Sequence, residues 1–224
     1  MRKRDLDTLY RMLEDYEEKA VNRIALSELS RTSLPLGGCC LYWEPGEKRG
    51  DPAKQRIVRV ESYPLGKDKD EMYSQLIKHR GTIAGAYKGG GNHRESILRH
   101  HIGTALMNKN QDFCDSWEEE RANAAVRKKE HPLESIVSSV ISQMQVLIIP
   151  VKNPDANKLK FVEQNLIALL SNWGKEAIDP PSPGWLGHYC SNVLVRGSGL
   201  WNTNGVMLKY DRQFLAIMSA ILLN

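Results

Sequence analysis

An α+β domain is predicted: a small three-stranded antiparallel sheet flanked by helices, with further helices extending it at both ends. Two observations carry this. Three short β-prone runs stand apart in the chain, Cys39-Cys-Leu-Tyr-Trp43, Arg56-Ile-Val-Arg-Val-Glu-Ser62 and Gln145 to Val151. Around them apolar residues step by three and four, as they do along the buried stripe of a helix.

The elements follow in order. Leu6, Leu9, Leu13, Tyr16 and Ala20 predict an amphipathic helix over roughly residues 5 to 26. It packs on the domain or on a partner, and its start, Met1-Arg-Lys-Arg4, is basic enough to touch nucleic acid. Ser27 to Gly38 is a connector. The first two β-prone runs, separated by a polar loop containing glycine, read as an antiparallel pair. Met72 to Arg80 reads as a short helix with Tyr73, Leu76 and Ile77 inward and Gly81 as its stop. Asn92 and Glu95 have capping-box spacing, which predicts a helix from about His93. Ile97, Leu98, Ile102, Ala105 and Leu106 form its buried face. Ser116 to Glu130 reads as a charged, solvated helix, and Pro132 as the start of another. The strand Gln145 to Val151 leads into a helix with Leu159, Val162, Leu166, Leu169 and Leu170 inward, capped by Asp155 or Asn157. Gly174 to Gly187 is proline-rich, irregular and ordered around Trp185 and Leu186, and Gly197 to Asn204 is a glycine-rich loop. Asp211 caps a last helix that buries Phe214, Leu215, Met218, Ile221 and Leu222.

The totals narrow the function class. The 224 residues are enough for one large domain with a real core, and 41% hydrophobic with 26% charged residues is globular composition. None of the four cysteines forms a Cys-x-x-Cys pair, so a zinc ribbon or dithiol redox motif is excluded and reduced thiols in the cytoplasm are expected. Neither a signal peptide nor a membrane span is expected.

Net charge is only +4, but the basic residues are not evenly spread. Lys78, Arg80, Lys88, Arg94 and Arg99 lie close together with only Glu95 opposing them, among His79, His93, His100 and His101. Gly89, Gly90 and Gly91 precede the expected helix N-terminus, where bare backbone N–H groups suit a phosphate. Nucleic-acid binding through Lys78, Arg80, Lys88, His93, Arg94 and Arg99 is therefore expected; the plainer alternative is a loop followed by a solvated helix face. The histidine spacing fits no familiar zinc site, and the glycines match neither a Walker loop nor a dinucleotide fingerprint.

Glu163 sits at the border of the apolar stripe of its helix. An acid there is either a solvated helix residue or a ligand aimed rigidly into a cleft.

The order strand, strand, helix, helical insertion, strand, Glu-bearing helix resembles the GIY-YIG nuclease domain. His79-Arg-Gly81, Gly89-Gly-Gly-Asn-His-Arg94, Asp179-Pro-Pro-Ser-Pro-Gly-Trp-Leu-Gly187 and Ser198-Gly-Leu-Trp-Asn-Thr-Asn204 resemble a bacterial branch of it. The resemblance covers about residues 35 to 215, which leaves 1–34 as an N-terminal helix with its connector and 216–224 as the end of the last helix. Both signature tripeptides are altered. Gly38-Cys39-Cys40 stands at the first, with Tyr42 two residues on along the same strand face. Arg59-Val60-Glu61 stands at the second, Tyr-Ile-Gly, with Arg59 in place of its tyrosine and Glu61 in place of its glycine, and Gln75 occupies the place of an arginine four residues before His79.

The resemblance implies a nuclease that hydrolyses DNA phosphodiester bonds with Mg²⁺ or Mn²⁺, acting in restriction or defence, with RNA left open as substrate. It implies Glu163 as metal ligand and Tyr42, Arg59, His79 and Asn202 as its catalytic companions. A homodimer is one expectation. The competing readings are a catalytically degenerate nucleic-acid binder of the same fold and a scaffold assembled through the N-terminal helix.

Overall fold

The computed structural model describes residues 1–19, 22–50, 54–64, 69–151 and 156–223. The chain alternates between the faces of one antiparallel sheet. Strand β2 (Gly38–Arg49) pairs with β3 (Lys54–Tyr63) and with β4 (Gln145–Pro150), which also pairs with the two-residue strand β1 (Ile24–Ala25). The order is β1-β4-β2-β3, so β3 is an edge.

The α+β class holds, with four strands in place of three. The fourth lies where the first helix was expected to continue. Helix α1 (Arg2–Lys19) stops early, and Ile24 and Ala25 extend the ladder opposite Val146 and Gln145. Leu26 follows, fully buried, with its N–H on the Met144 carbonyl at 3.0 Å. Two residues are too few to show a period, so no pattern in the sequence marks β1.

Both faces of the sheet are covered, which is why its strands read as nearly unbroken apolar runs. Cys39, Leu41, Trp43, Leu147 and Ile149 face α1, α5 (Ala156–Leu170) and α7 (Phe214–Leu222). Cys40, Tyr42, Val146 and Ile148 face α2 (Lys69–Arg80), α3 (Ile97–Asn110) and α4 (Ala124–Ser142). The α5 stripe of Leu159, Val162, Leu166, Leu169 and Leu170 is buried as its spacing predicts. Asp155, one of its two expected caps, lies outside the described residues. Arg2 does not project outward: it donates to the carbonyls of Leu169 at 3.1 Å and Ser171 at 2.5 Å, closing the C-terminal end of α5.

Three helix boundaries differ from expectation. Asn92 does donate to Glu95, at 2.5 Å, but His93–Glu95 is only a 3-10 turn. Helix α3 starts after it, with the Ser96 hydroxyl accepting the Arg99 N–H at 3.2 Å. Further on, α4 runs straight through Pro132 from a cap at Asn123, whose side chain accepts from Val126 N at 3.0 Å. A short helix α6 (Val193–Ser198) precedes the Gly199 loop, and Gly199 takes a positive φ of 74°.

A polar network inside the second layer joins three helices. Arg99 is fully buried and donates to Glu134 Oε2 at 2.8 Å, to Ser138 Oγ at 2.9 Å and to the carbonyl of His79 at 3.0 Å. His93 stacks on Trp117 with centroids 3.7 Å apart and gives its N–H to Glu134 at 2.6 Å. Arg94 is bonded to Glu130 through two nitrogens at 2.8 Å.

Arg99, His93 and Arg94, expected at a phosphate, are engaged with α4 instead: fully buried Arg99 cannot leave Glu134 without a large desolvation cost, His93 is bonded to Glu134, and half-buried Arg94 is paired with Glu130. The glycine run is corrected too. Gly89 and Gly90 direct their N–H groups to the carbonyls of Thr82 and Tyr87, at 2.9 and 3.0 Å. A Cβ on Gly91 would lie 2.3 Å from the Arg99 guanidinium carbon, so this glycine makes room for the buried ion pair.

Replacing Arg99 by alanine leaves Glu134 charged and buried, with an expected cost of about 3–5 kcal/mol in urea unfolding. Lys88 is exposed, and the same change there is expected to cost no more than about 0.5 kcal/mol. His101 is buried, and neither ring nitrogen has a hydrogen-bond partner among the described residues. Burial, then His100 and Arg59, push its pKa from 6.5 down to about 4. The folded protein thus favours the neutral ring. The stability this contributes is complete above the unfolded value and is lost as the pH falls towards 4. Stability is expected to fall by up to about 3 kcal/mol over that range from this group, and by less in His101→Leu, as read by urea melts across the pH series.

Candidate active site

Strand geometry puts Arg59, Glu61 and Tyr63 on one face of β3, because alternate residues share a face. Tyr42 opposes Arg59 across the β2–β3 ladder, and Cys40 opposes Glu61. Helix α2 packs over this face and brings in His79 from its last turn, and Gly81, with φ of 92°, ends the helix just beyond.

These side chains converge on the carboxylate of Glu61. The hydroxyls of Tyr42 and Tyr63 donate to its Oε2 at 2.5 and 2.8 Å. Arg59 donates to Oε1 from Nε at 3.0 Å and also from Nη2. His79 Nε2 lies 3.1 Å from Oε1, and its Nδ1 lies 2.6 Å from Ser96 Oγ. Burial opposes charge on Glu61, but Arg59, then His79 and the Tyr42 hydroxyl, outweigh it and hold the carboxyl well below the usual range. Burial and the Glu61 charge raise both tyrosines well above 10, so each is a neutral donor at ordinary pH. Tyr42 is therefore no phenolate base.

Glu163 approaches from the other side of the strand. It sits half-buried on α5, and its Oε2 accepts the Ser62 hydroxyl at 2.7 Å. Burial raises its pKa; Ser62 opposes that, the Glu61 charge adds to it, and Arg59 opposes it. Glu163 thus feels the charges of Arg59 and Glu61, although it packs against the opposite sheet face.

Asn202 closes the open edge of β3. Its side chain accepts from Val60 N at 2.9 Å and donates to Val60 O at 2.8 Å, as a neighbouring strand would. Trp201 N donates to Val58 O at 2.8 Å, and Arg59 Nη1 donates to Trp201 O at 2.9 Å. The segment before it is fixed by two acids, half-buried Glu44 and buried Glu47. Glu44 accepts both indole N–H groups of Trp185 and Trp201, at 3.1 and 3.0 Å. Glu47 accepts from Ser182 Oγ at 2.5 Å and from Arg56 at 3.2 Å.

Of the expected catalytic residues, Tyr42, Arg59 and His79 therefore meet directly on Glu61, Asn202 holds the strand beneath them, and Glu163 lies within electrostatic reach of Arg59 and Glu61. Gln75 is exposed and accepts from Lys78 at 3.3 Å, outside the cluster. Glu61 was read from the sequence only as a departure from a tripeptide. The signal that could have found it is the period of two, which aligns Arg59, Glu61 and Tyr63 on one strand face.

Of the expected phosphate-binding residues, Lys78 and Arg80 line a groove of about 550 Å³ with Gly81, Thr82, Asn92 and Arg127. The groove begins directly beyond His79, and Lys88 is exposed on the neighbouring loop. Arg127 was not expected there; it comes from α4 and lies 4.6 Å from the Tyr87 ring. The chemistry assembled is an arginine, a histidine and two tyrosine hydroxyls gathered on one carboxylate on one side of an edge strand, with a half-buried carboxylate on the other.

No curated protein and no solved structure matches the chain. A family model, described as the GIY-YIG domain, matches residues 1–224. With the Glu-bearing helix, the β2–β3 pair and the Asn202 edge contact in place, this match identifies the chain as a member of the GIY-YIG domain family, and with it a nuclease-type function.

Proposed function

We propose that this protein is a divalent-metal-dependent endonuclease that hydrolyses DNA phosphodiester bonds, in restriction or defence. The observation that carries the reading is the position of Glu163: half-buried, bonded to Ser62, and within the electrostatic reach of Arg59. Among the described residues no three His, Cys, Asp or Glu side chains converge on a common metal site. One carboxylate still suits Mg²⁺ or Mn²⁺, since such ions keep several waters and are completed by substrate phosphate oxygens. It does not suit a structural zinc site.

Glu163 would hold the ion, which when bound polarises the phosphate and stabilises the leaving oxygen. The other steps fall to side chains. Ser96 on Nδ1 orients His79 so that Nε2 faces the cluster, where it bonds to Glu61; with Glu61 moved aside it is the side chain that takes the proton of the attacking water. Arg59 offsets charge on the phosphorus oxygens, in place of the arginine that Gln75 replaces. Tyr42 and Tyr63 contribute neutral hydroxyl donors. Lys78, Arg80, Lys88 and Arg127 hold the flanking strand by its phosphates. The four cysteines are free thiols, which suits a reducing cytoplasm.

The second reading is a nucleic-acid binder without catalysis. It is favoured by the engagement of Arg59 and His79 with Glu61, which leaves neither turned towards a substrate.

Plasmid incubated with Mg²⁺ or Mn²⁺ separates the two. Cleavage by the natural chain, lowered about a hundredfold or more in Glu163→Ala, is the expected result. Binding that weakens with salt, without any cleavage, supports the second reading. In either case Lys78→Ala is expected to weaken binding across sequences and to lower the salt slope by about one.

A further inference from the structure

Among the described residues, the Arg59–Glu61 pair is unlike the two deepest arginine–glutamate pairs. Arg99 with Glu134, and Arg56 with Glu47, are sealed: their side chains are 0% and 3% exposed in each pair. The Glu61 side chain is 14% exposed, and half-buried Tyr63, which donates to it, ends β3. Ser62 lies between them and bonds to Glu163 on the other face of the strand.

The donors around Glu61 are also too many for its structural need. Two hydroxyls, two guanidinium nitrogens and one imidazole nitrogen, from β2, β3 and α2, meet one carboxylate. A fixed guanidinium with hydroxyl donors is the chemistry that binds a phosphate oxyanion. All three arginines also reach a backbone carbonyl, Arg99 that of His79, Arg56 that of Gly199 and Arg59 that of Trp201; the two tyrosine hydroxyls are what sets the Glu61 pair apart.

We propose that Tyr42, Arg59 and Tyr63 form an oxyanion seat for a substrate phosphate, and that Glu61 is its resident anion, which the phosphate must displace. Glu61 carries one negative charge, as a phosphodiester does, so exchange leaves the charge of the cluster unchanged. A side-chain rotation of Glu61 towards solvent vacates the seat without moving the β3 ladder. While Glu61 stays, Arg59 and His79 are occupied and a phosphate is repelled. The proposal rests on the nuclease reading for the identity of the anion; the donor geometry stands independently of it.

The test uses the full chain and inorganic phosphate, followed by phosphorus NMR or calorimetry without DNA or metal. Glu61→Gln removes the charge and keeps the shape, and Glu61→Gly empties the seat. Both are expected to bind phosphate roughly tenfold or more tightly than the natural chain. Adding Arg59→Gln to Glu61→Gly is expected to abolish the gain. The proposal is overturned if the folded variants bind phosphate no better than the natural chain, or if the gain survives loss of Arg59. It is equally overturned if neither variant folds, because Glu61 is then a keystone of the domain and not the occupant of a seat. Failure here leaves the Glu163 comparison on plasmid standing, and failure there leaves the phosphate measurement standing.

Discussion

A guanidinium taken out of water must find a carboxylate, and much of this fold follows from that constraint. Arg56, Arg59 and Arg99 are all buried, and each has its acid: Glu47, Glu61 and Glu134. An unpaired buried ion costs several kcal/mol, which makes the Arg56–Glu47 and Arg99–Glu134 pairs ties between elements. Arg56 joins β3 to the late Gly199 loop, and Arg99 joins α3 to α4 and to the last carbonyl turn of α2. That last tie matters for the site, because α2 carries His79. The imidazole is therefore positioned from both ends, by Arg99 on its backbone and by Ser96 on its ring.

The same constraint explains what could and could not be read from the sequence. Apolar spacing foretold α2, α5 and the paired strands because burial of a regular element leaves a periodic trace. It could not foretell β1, whose two residues have no period, nor α4 crossing Pro132, where packing of Val137 and Ile141 outweighs a missing N–H. The basic stretch misled for a physical reason. Clustered charge along a chain looks solvated until the countercharge is known, and here Glu130 and Glu134 lie 36 and 35 residues beyond the arginines they neutralise. The glycines before α3 looked like a phosphate loop and are instead spacers beside His131 and Arg99.

The catalytic candidates were legible only through resemblance, and then incompletely. Tyr42, Arg59, His79, Glu163 and Asn202 are each ordinary residues in one dimension. What joins the first three is Glu61, which stands where the family pattern has glycine. A glycine would have left the guanidinium and the hydroxyls facing empty space; the acid turns them inward and fixes their geometry. The change that looked like decay of a motif is the most connected position of the cluster.

An edge strand is otherwise a liability, because its free backbone groups invite another chain. In β3 this is contained by Trp201 and Asn202, which satisfy Val58 and Val60 from outside. The cover extends to Val60, and Glu61, Ser62 and Tyr63 follow at the strand end. Successive side chains there point to opposite faces, Glu61 towards α2 and Ser62 towards Glu163 on α5. A ligand lying against the middle of this sheet would meet one face only. At the end of an edge strand it can touch both, which is what the proposed nuclease reading requires of the Glu61 cluster and of Glu163, held in separate hydrophobic layers.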